Sequence, residues 1–112
     1  MTDDSSNLTY SERFRIVAKQ WVDADAAATL LEDTKSAFLS SRIQDLIREE
    51  PGIALNRAEA AVKSSDYWKE WVTEMIEARK RANLLKVQLE YLRMKFTEWN
   101  SHEASKRAEM KL

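Results

Sequence analysis

Ten apolar residues between Trp68 and Trp99 fall on an unbroken three-and-four spacing: Trp68, Trp71, Met75, Ala78, Ala82, Leu85, Leu89, Leu92, Phe96 and Trp99. That alternation places all ten on one stripe of a single helix, and a stripe of this kind needs a mate. A helix over residues 67–110 would be about 65 Å long, too long for a unit of a compact globule. It implies an elongated hairpin, or an oligomer in which the excess length finds a partner. The turn residues argue against a many-stranded fold: the chain holds one glycine and one proline, Gly52 and Pro51, side by side. A many-stranded fold needs a supply of such residues for its hairpins.

The mate for the stripe lies upstream. Phe14, Val17, Trp21, Ala24, Ala28, Leu31 and Phe38 repeat the same spacing, and past Phe38 the stripe moves by one residue to Leu39, Ile43, Leu46 and Ile47. The move predicts a face that turns toward a different neighbour. With a turn between residues 48 and 66, facing residues would carry numbers that sum to about 114 in an antiparallel pair. Phe14 would then meet Trp99, Trp21 would meet Leu92 and Phe96, and Phe38 would meet Met75 and Ala78. Small Ala24 and Ala28 would face Leu85 and Leu89, so that the layers interdigitate. Acidic Asp25 and Glu32 sit on the flank that meets Arg79, Lys86 and Arg93.

The expected fold class is all-α: an elongated antiparallel helical hairpin, coiled-coil-like, with a short connecting helix, assembling into an oligomeric bundle. Residues 1–9 read as a disordered N-terminus, and residues 10–112 as a single helical domain with helices at about 11–49, 54–63 and 66–110. Thr9 or Ser11 would cap the first helix, which ends near Glu49 because a residue before proline avoids helical angles. Asn56 to Glu59 has the spacing of a capping box for the short helix. Ser64-Ser65-Asp66 reads as the cap of the last helix, with a helix unbroken from Asn56 as the alternative.

A second apolar stripe shares the last helix. Leu84, Val87, Tyr91 and Met94 lie opposite the seam, and a helix with two apolar faces needs two neighbours. They are the candidate oligomer or partner face, unless the short helix and the end of the first helix fold back over them. Arg79, Lys80, Arg81, Lys86, Arg93 and Lys95 form the densest basic cluster and are candidate nucleic-acid contacts. A solvated flank facing Asp25 and Glu32 accounts for them better. The overall balance of 18 basic and 19 acidic residues names no partner. Residues 1–66 hold 12 acidic and 8 basic side chains against 7 and 10 in residues 67–112, a polarity two antiparallel helices would neutralise.

Catalytic chemistry finds no footing. The chain has no cysteine and a single histidine, His102, in a polar Asn-Ser-His-Glu run. The carboxylate pairs Glu49-Glu50 and Asp23/Asp25 have no histidine at metal-ligand spacing. The four tryptophans, including Trp21 and Trp99, lie on seam positions and read as core. No enzyme activity, cofactor, metal or small-molecule substrate is therefore expected. The acidic start, Met-Thr-Asp-Asp, is unlike a signal peptide, and no apolar run would span a bilayer. No membrane association is expected, and the location expected is cytoplasmic.

The run after Tyr67, a long amphipathic helix ending Phe96-Thr-Glu-Trp99-Asn-Ser101-His-Glu-Ala104-Ser-Lys-Arg107-Ala-Glu-Met110, resembles small helical accessory proteins encoded by phages and prophages. The resemblance covers about the last 50 residues and rests on the helical pattern with a few Trp, Ser and Arg positions. It implies a setting among phage recombination and replication functions, inside a bacterial host, and it carries over no site residue. The expected function is a non-enzymatic, oligomerising protein-interaction protein that binds its own copies or another protein. The alternatives are a nucleic-acid-binding protein using the flank Arg79–Lys95 and a small phage-encoded inhibitor of a host protein.

Overall fold

The structure, a computed structural model, describes residues 9–111 and holds three helices and no strand among them: α1 (Tyr10–Glu49), α2 (Leu55–Lys63) and α3 (Asp66–Met110). The fold is all-α, with α1 and α3 paired antiparallel and α2 as the short connecting helix. Of the terminus expected to be disordered, residues 1–9, residues 1–8 lie outside the described residues, as does Leu112 at the end of the expected helical domain, whereas Thr9 is described and hydrogen-bonded to Glu12.

Local chemistry sets each helix end. Thr9 caps α1 through a reciprocal capping box: the Glu12 amide donates to Thr9 Oγ1 at 3.2 Å, and the Thr9 amide donates to Glu12 Oε2 at 3.2 Å. Two amides that the helix leaves without partners are thereby satisfied. After α1 the Ile53 amide donates to the Glu50 carbonyl at 3.2 Å, closing a turn with Pro51 and Gly52 at its centre. Gly52 has φ +99° with open space where a Cβ would lie, so the backbone angle is what demands glycine there.

The capping box expected at Asn56–Glu59 does not form. The capping position is Ala54, two residues before Asn56, and it makes no side-chain cap. Glu59 instead pairs with Lys63 at 2.8 Å, one turn along α2. The break before α3 is present. Ser65 Oγ accepts the Trp68 amide at 3.2 Å and donates to the Val62 carbonyl at 2.6 Å, closing α2 and opening α3 with one side chain.

The chain divides into two compact units, Ala24–Arg81 and Met1–Asp23 with Ala82–Leu112. In the first, Phe38 stacks on Trp71 at 5.0 Å and on Trp68 at 6.0 Å, with interplanar angles of 11° and 14°. Tyr67 also stacks on Phe38 at 5.6 Å, and the Arg42 guanidinium sits 4.1 Å over the Tyr67 ring, where it also donates to the phenol oxygen. Ala28, Ala58, Val62 and Trp68 are the buried side chains of this unit. In the second unit Tyr10 meets Phe96 edge-on at 6.5 Å, Arg93 lies 5.8 Å over the Phe14 ring, and Val17, Ala82 and Leu89 are buried.

These pairs correct the expected register. Tyr10 with Phe96, Phe14 with Arg93 and Phe38 with Trp68 carry numbers that sum to about 107, one heptad below the expectation. Phe14 therefore does not meet Trp99, and Phe38 does not stack on Met75 or Ala78. The reason is the connecting segment, which is not symmetric about its turn. α1 runs past the start of α3, and its last turns meet α2: Arg42, Asp45, Leu46 and Glu49 share a cleft of about 330 Å³ with Ala61, Val62, Ser65 and Tyr67. The one-residue move of the stripe after Phe38 marks this change of neighbour. The same shift leaves Phe96 and Trp99 at 41% and 49% exposed, stacked on one another at 6.4 Å, rather than in the core.

Two substitutions separate seam from surface. Ala28 is fully buried and Leu30 is exposed, so Ala28→Leu should cost about 1–3 kcal/mol by overpacking and Leu30→Ala less than about 0.5 kcal/mol. Urea denaturation followed by circular dichroism reads both. Equal costs would contradict the burial of the Ala28 position.

Candidate interaction surface

The seam of α3 is occupied from Trp68 to Leu92, where all eight stripe residues are buried or half-buried. The opposite stripe is not. Leu84 and Val87 are 62% exposed, Met94 58% and Tyr91 54%. All four lie within one unit and on one helix, turned away from the Leu85, Leu89 and Leu92 side that packs. Their side chains stay open to solvent among the described residues.

The four residues differ in what surrounds them. Lys95 lies 5.7 Å from the Tyr91 ring centroid and pairs with Glu98 at 3.5 Å, so one edge of the stripe carries its own charge pair. Beside Met94 runs a groove of about 640 Å³ walled by Glu90, Arg93, Thr97, Glu98 and Ser101. Every wall of that groove belongs to α3. A depression with one helix for its wall encloses no ligand on several sides, whereas ligand sites are concave and bury most of what they hold.

The basic cluster separates into engaged and exposed members. Arg79 is held by α1 within the first unit: Nε and Nη2 donate to the two Glu32 carboxylate oxygens at 3.0 and 2.6 Å, and Nη1 donates to Asp25 Oδ1 at 2.7 Å. Thr29 Oγ1 accepts a further bond from Nη2 at 3.2 Å. The planar fork suits this bidentate arrangement, and a lysine could not reproduce it. Arg93 lies over Phe14 and Lys95 pairs with Glu98, while Lys80, Arg81 and Lys86 are exposed. The flank that was to join Asp25 and Glu32 to three basic residues thus brings both carboxylates to Arg79 alone.

The remaining expectations concern single residues. His102 is exposed on α3, and among the described residues no cluster of three or more His, Cys, Asp or Glu could hold a metal ion. Trp68 is buried and Trp21 and Trp71 half-buried in the helix pairing, so none offers a free stacking platform. No helix among the described residues is long and apolar enough to cross a membrane. Sequence reasoning missed Arg42, which stacks on Tyr67 and pairs with Asp45 at 3.7 Å. Its signal was the i, i+3 spacing to Asp45, which alone does not point across to α3.

No protein-family model, curated protein or solved structure matches the chain.

The Arg79 fork makes stability depend on pH. Hydrogen bonds from Arg79 hold the Glu32 carboxyl below its ordinary value, with partial desolvation opposing. A carboxyl whose folded value is depressed stabilises the fold above its unfolded value and loses that contribution as pH falls through the folded one. Arg79→Met should therefore flatten the loss of thermal stability between about pH 7 and about pH 3, and about 1 M salt should shrink the difference, since the pair is partly exposed. Parallel pH profiles for the two proteins would contradict this role.

Proposed function

We propose that the protein acts without catalysis, as a self-associating protein-interaction hairpin whose working surface is Leu84, Val87, Tyr91 and Met94. The single observation that carries this reading is the exposure of all four side chains, each more than half open to solvent, on a helix whose other face is already paired. Scattered exposed apolar residues are ordinary, but a contiguous stripe on heptad spacing is the pattern of a helix–helix interface. The single-helix wall of the groove beside Met94 supports a macromolecular partner over a small molecule. Engagement of Arg79, Arg93 and Lys95 within the chain supports this reading over direct nucleic-acid binding. The resemblance of the C-terminal run to phage accessory proteins suggests its setting: a recombination or replication module, working in the cytoplasm of a bacterial host.

Sedimentation equilibrium over about 1 to 500 µM tests the reading, a range that brackets weak to moderate association. The wild-type mass should rise above one chain with concentration, and Leu84→Glu combined with Met94→Glu should hold it at one chain. Circular dichroism should show the double variant folded, because both side chains are exposed and lie off the seam. A wild-type protein that stays at single-chain mass throughout would contradict the reading.

A further inference from the structure

The spacing of the exposed stripe is the same read from either end. Leu84, Val87, Tyr91 and Met94 are separated by three, four and three residues, and both ends continue four residues further to an exposed charge. Before Leu84 that charge is Lys80; after Met94 it is Glu98, and α3 is unbroken across this stretch. A pattern symmetric in spacing and opposite in terminal charge fits its own copy in one orientation only.

We propose that α3 pairs with α3 of a second copy, antiparallel and about a two-fold axis at the level of Leu89. The inference rests on the self-association reading above and adds the partner's orientation and register. In this pairing Leu84 faces Met94 of the second copy and Val87 faces its Tyr91, the exchange of seam positions that antiparallel helices make. Lys80 then meets Glu98 of the second copy, whose carboxylate also pairs with Lys95 of its own helix at 3.5 Å, and the two-fold axis repeats the contact at the other end. Parallel pairing would set Lys80 against Lys80 and Glu98 against Glu98, each at a seam position. The terminal charges therefore select against it.

The association is reversible on the same grounds. Four half-exposed side chains per copy present less than the roughly 800 Å² per partner of a standard stable interface. Glu90 beside the axis meets its own copy, and Arg81 lies on the same edge as Lys95 of the second copy. Both contacts oppose the pairing without touching its apolar centre.

Charge exchange tests the register. Lys80→Glu alone and Glu98→Lys alone should each weaken the dimer about tenfold, since each turns two attractive contacts repulsive. An equal mixture of K80E and E98K chains should recover association to within about threefold of wild type, as both ends of the mixed dimer are complementary. The double exchange K80E/E98K should recover it likewise. A wild-type dimer indifferent to all these substitutions would overturn the register while leaving self-association standing. A wild-type chain that is single at every concentration would overturn both.

Discussion

The stack of Phe38 on Trp68 and Trp71 is the interaction on which the pairing of α1 with α3 depends. Two heptad stripes attract one another at every offset of seven residues, because each offset brings apolar rows together. What separates the offsets is residues that fit at only one of them. Phe38 finds two indole faces at 5.0 and 6.0 Å, and aromatic pairs of this kind add about 0.5–1.5 kcal/mol beyond the area they bury. Arg79 reinforces the choice by reaching Asp25, Thr29 and Glu32 at once. One heptad further along, its level on α1 would be that of Lys35, and the fork would meet a like charge.

The core that results is narrow. Among the described residues its buried side chains are Val17, Ala28, Ala58, Val62, Trp68, Ala82 and Leu89, and none of the large ones is fully enclosed. Two helices can shield one stripe of each other and no more, so a helix pair this long leaves the remaining apolar residues in water. The alanines at 28, 58 and 82 are fully buried, small side chains at seam positions where a larger one would overpack. The outer face of α3 is thus a direct consequence of the architecture. A sequence meant only for a solvated outer surface would carry charges at 84, 87, 91 and 94, as it does at 80 and 98.

The helices were legible because their signals are local. The stripe from Trp68 to Leu92, the Thr9 cap, the Pro51-Gly52 stop and the Ser65 cap are each read from residues within a few positions of one another. The register was not, because the same repeat that reveals the pairing conceals its offset. Phe38 on Trp71 could have been preferred to Phe38 on Met75 only by weighing aromatic stacking against the symmetry of a turn whose length was unknown. The missed cap of α2 has a similar cause: Asn56 and Glu59 have the right spacing, but the turn from Glu50 to Ile53 delivers the chain already extended at Ala54, so the helix starts without a side-chain cap. The outer stripe was recognisable as apolar from its spacing alone. Whether α2 would cover it depended on the fold.

The proposed self-association rests on that exposed row and on its symmetry. In the proposed dimer the apolar centre would supply attraction, and Lys80 and Glu98 orientation. The most direct measurement is a set of amide NMR spectra of the labelled protein recorded on dilution. Concentration-dependent shifts should concentrate on residues 80–98 of α3, with amides near Asp25, Phe38 and Trp68 unmoved. Spectra that do not change on dilution, or shifts that gather elsewhere and leave Leu84 to Met94 untouched, would contradict the proposed dimer.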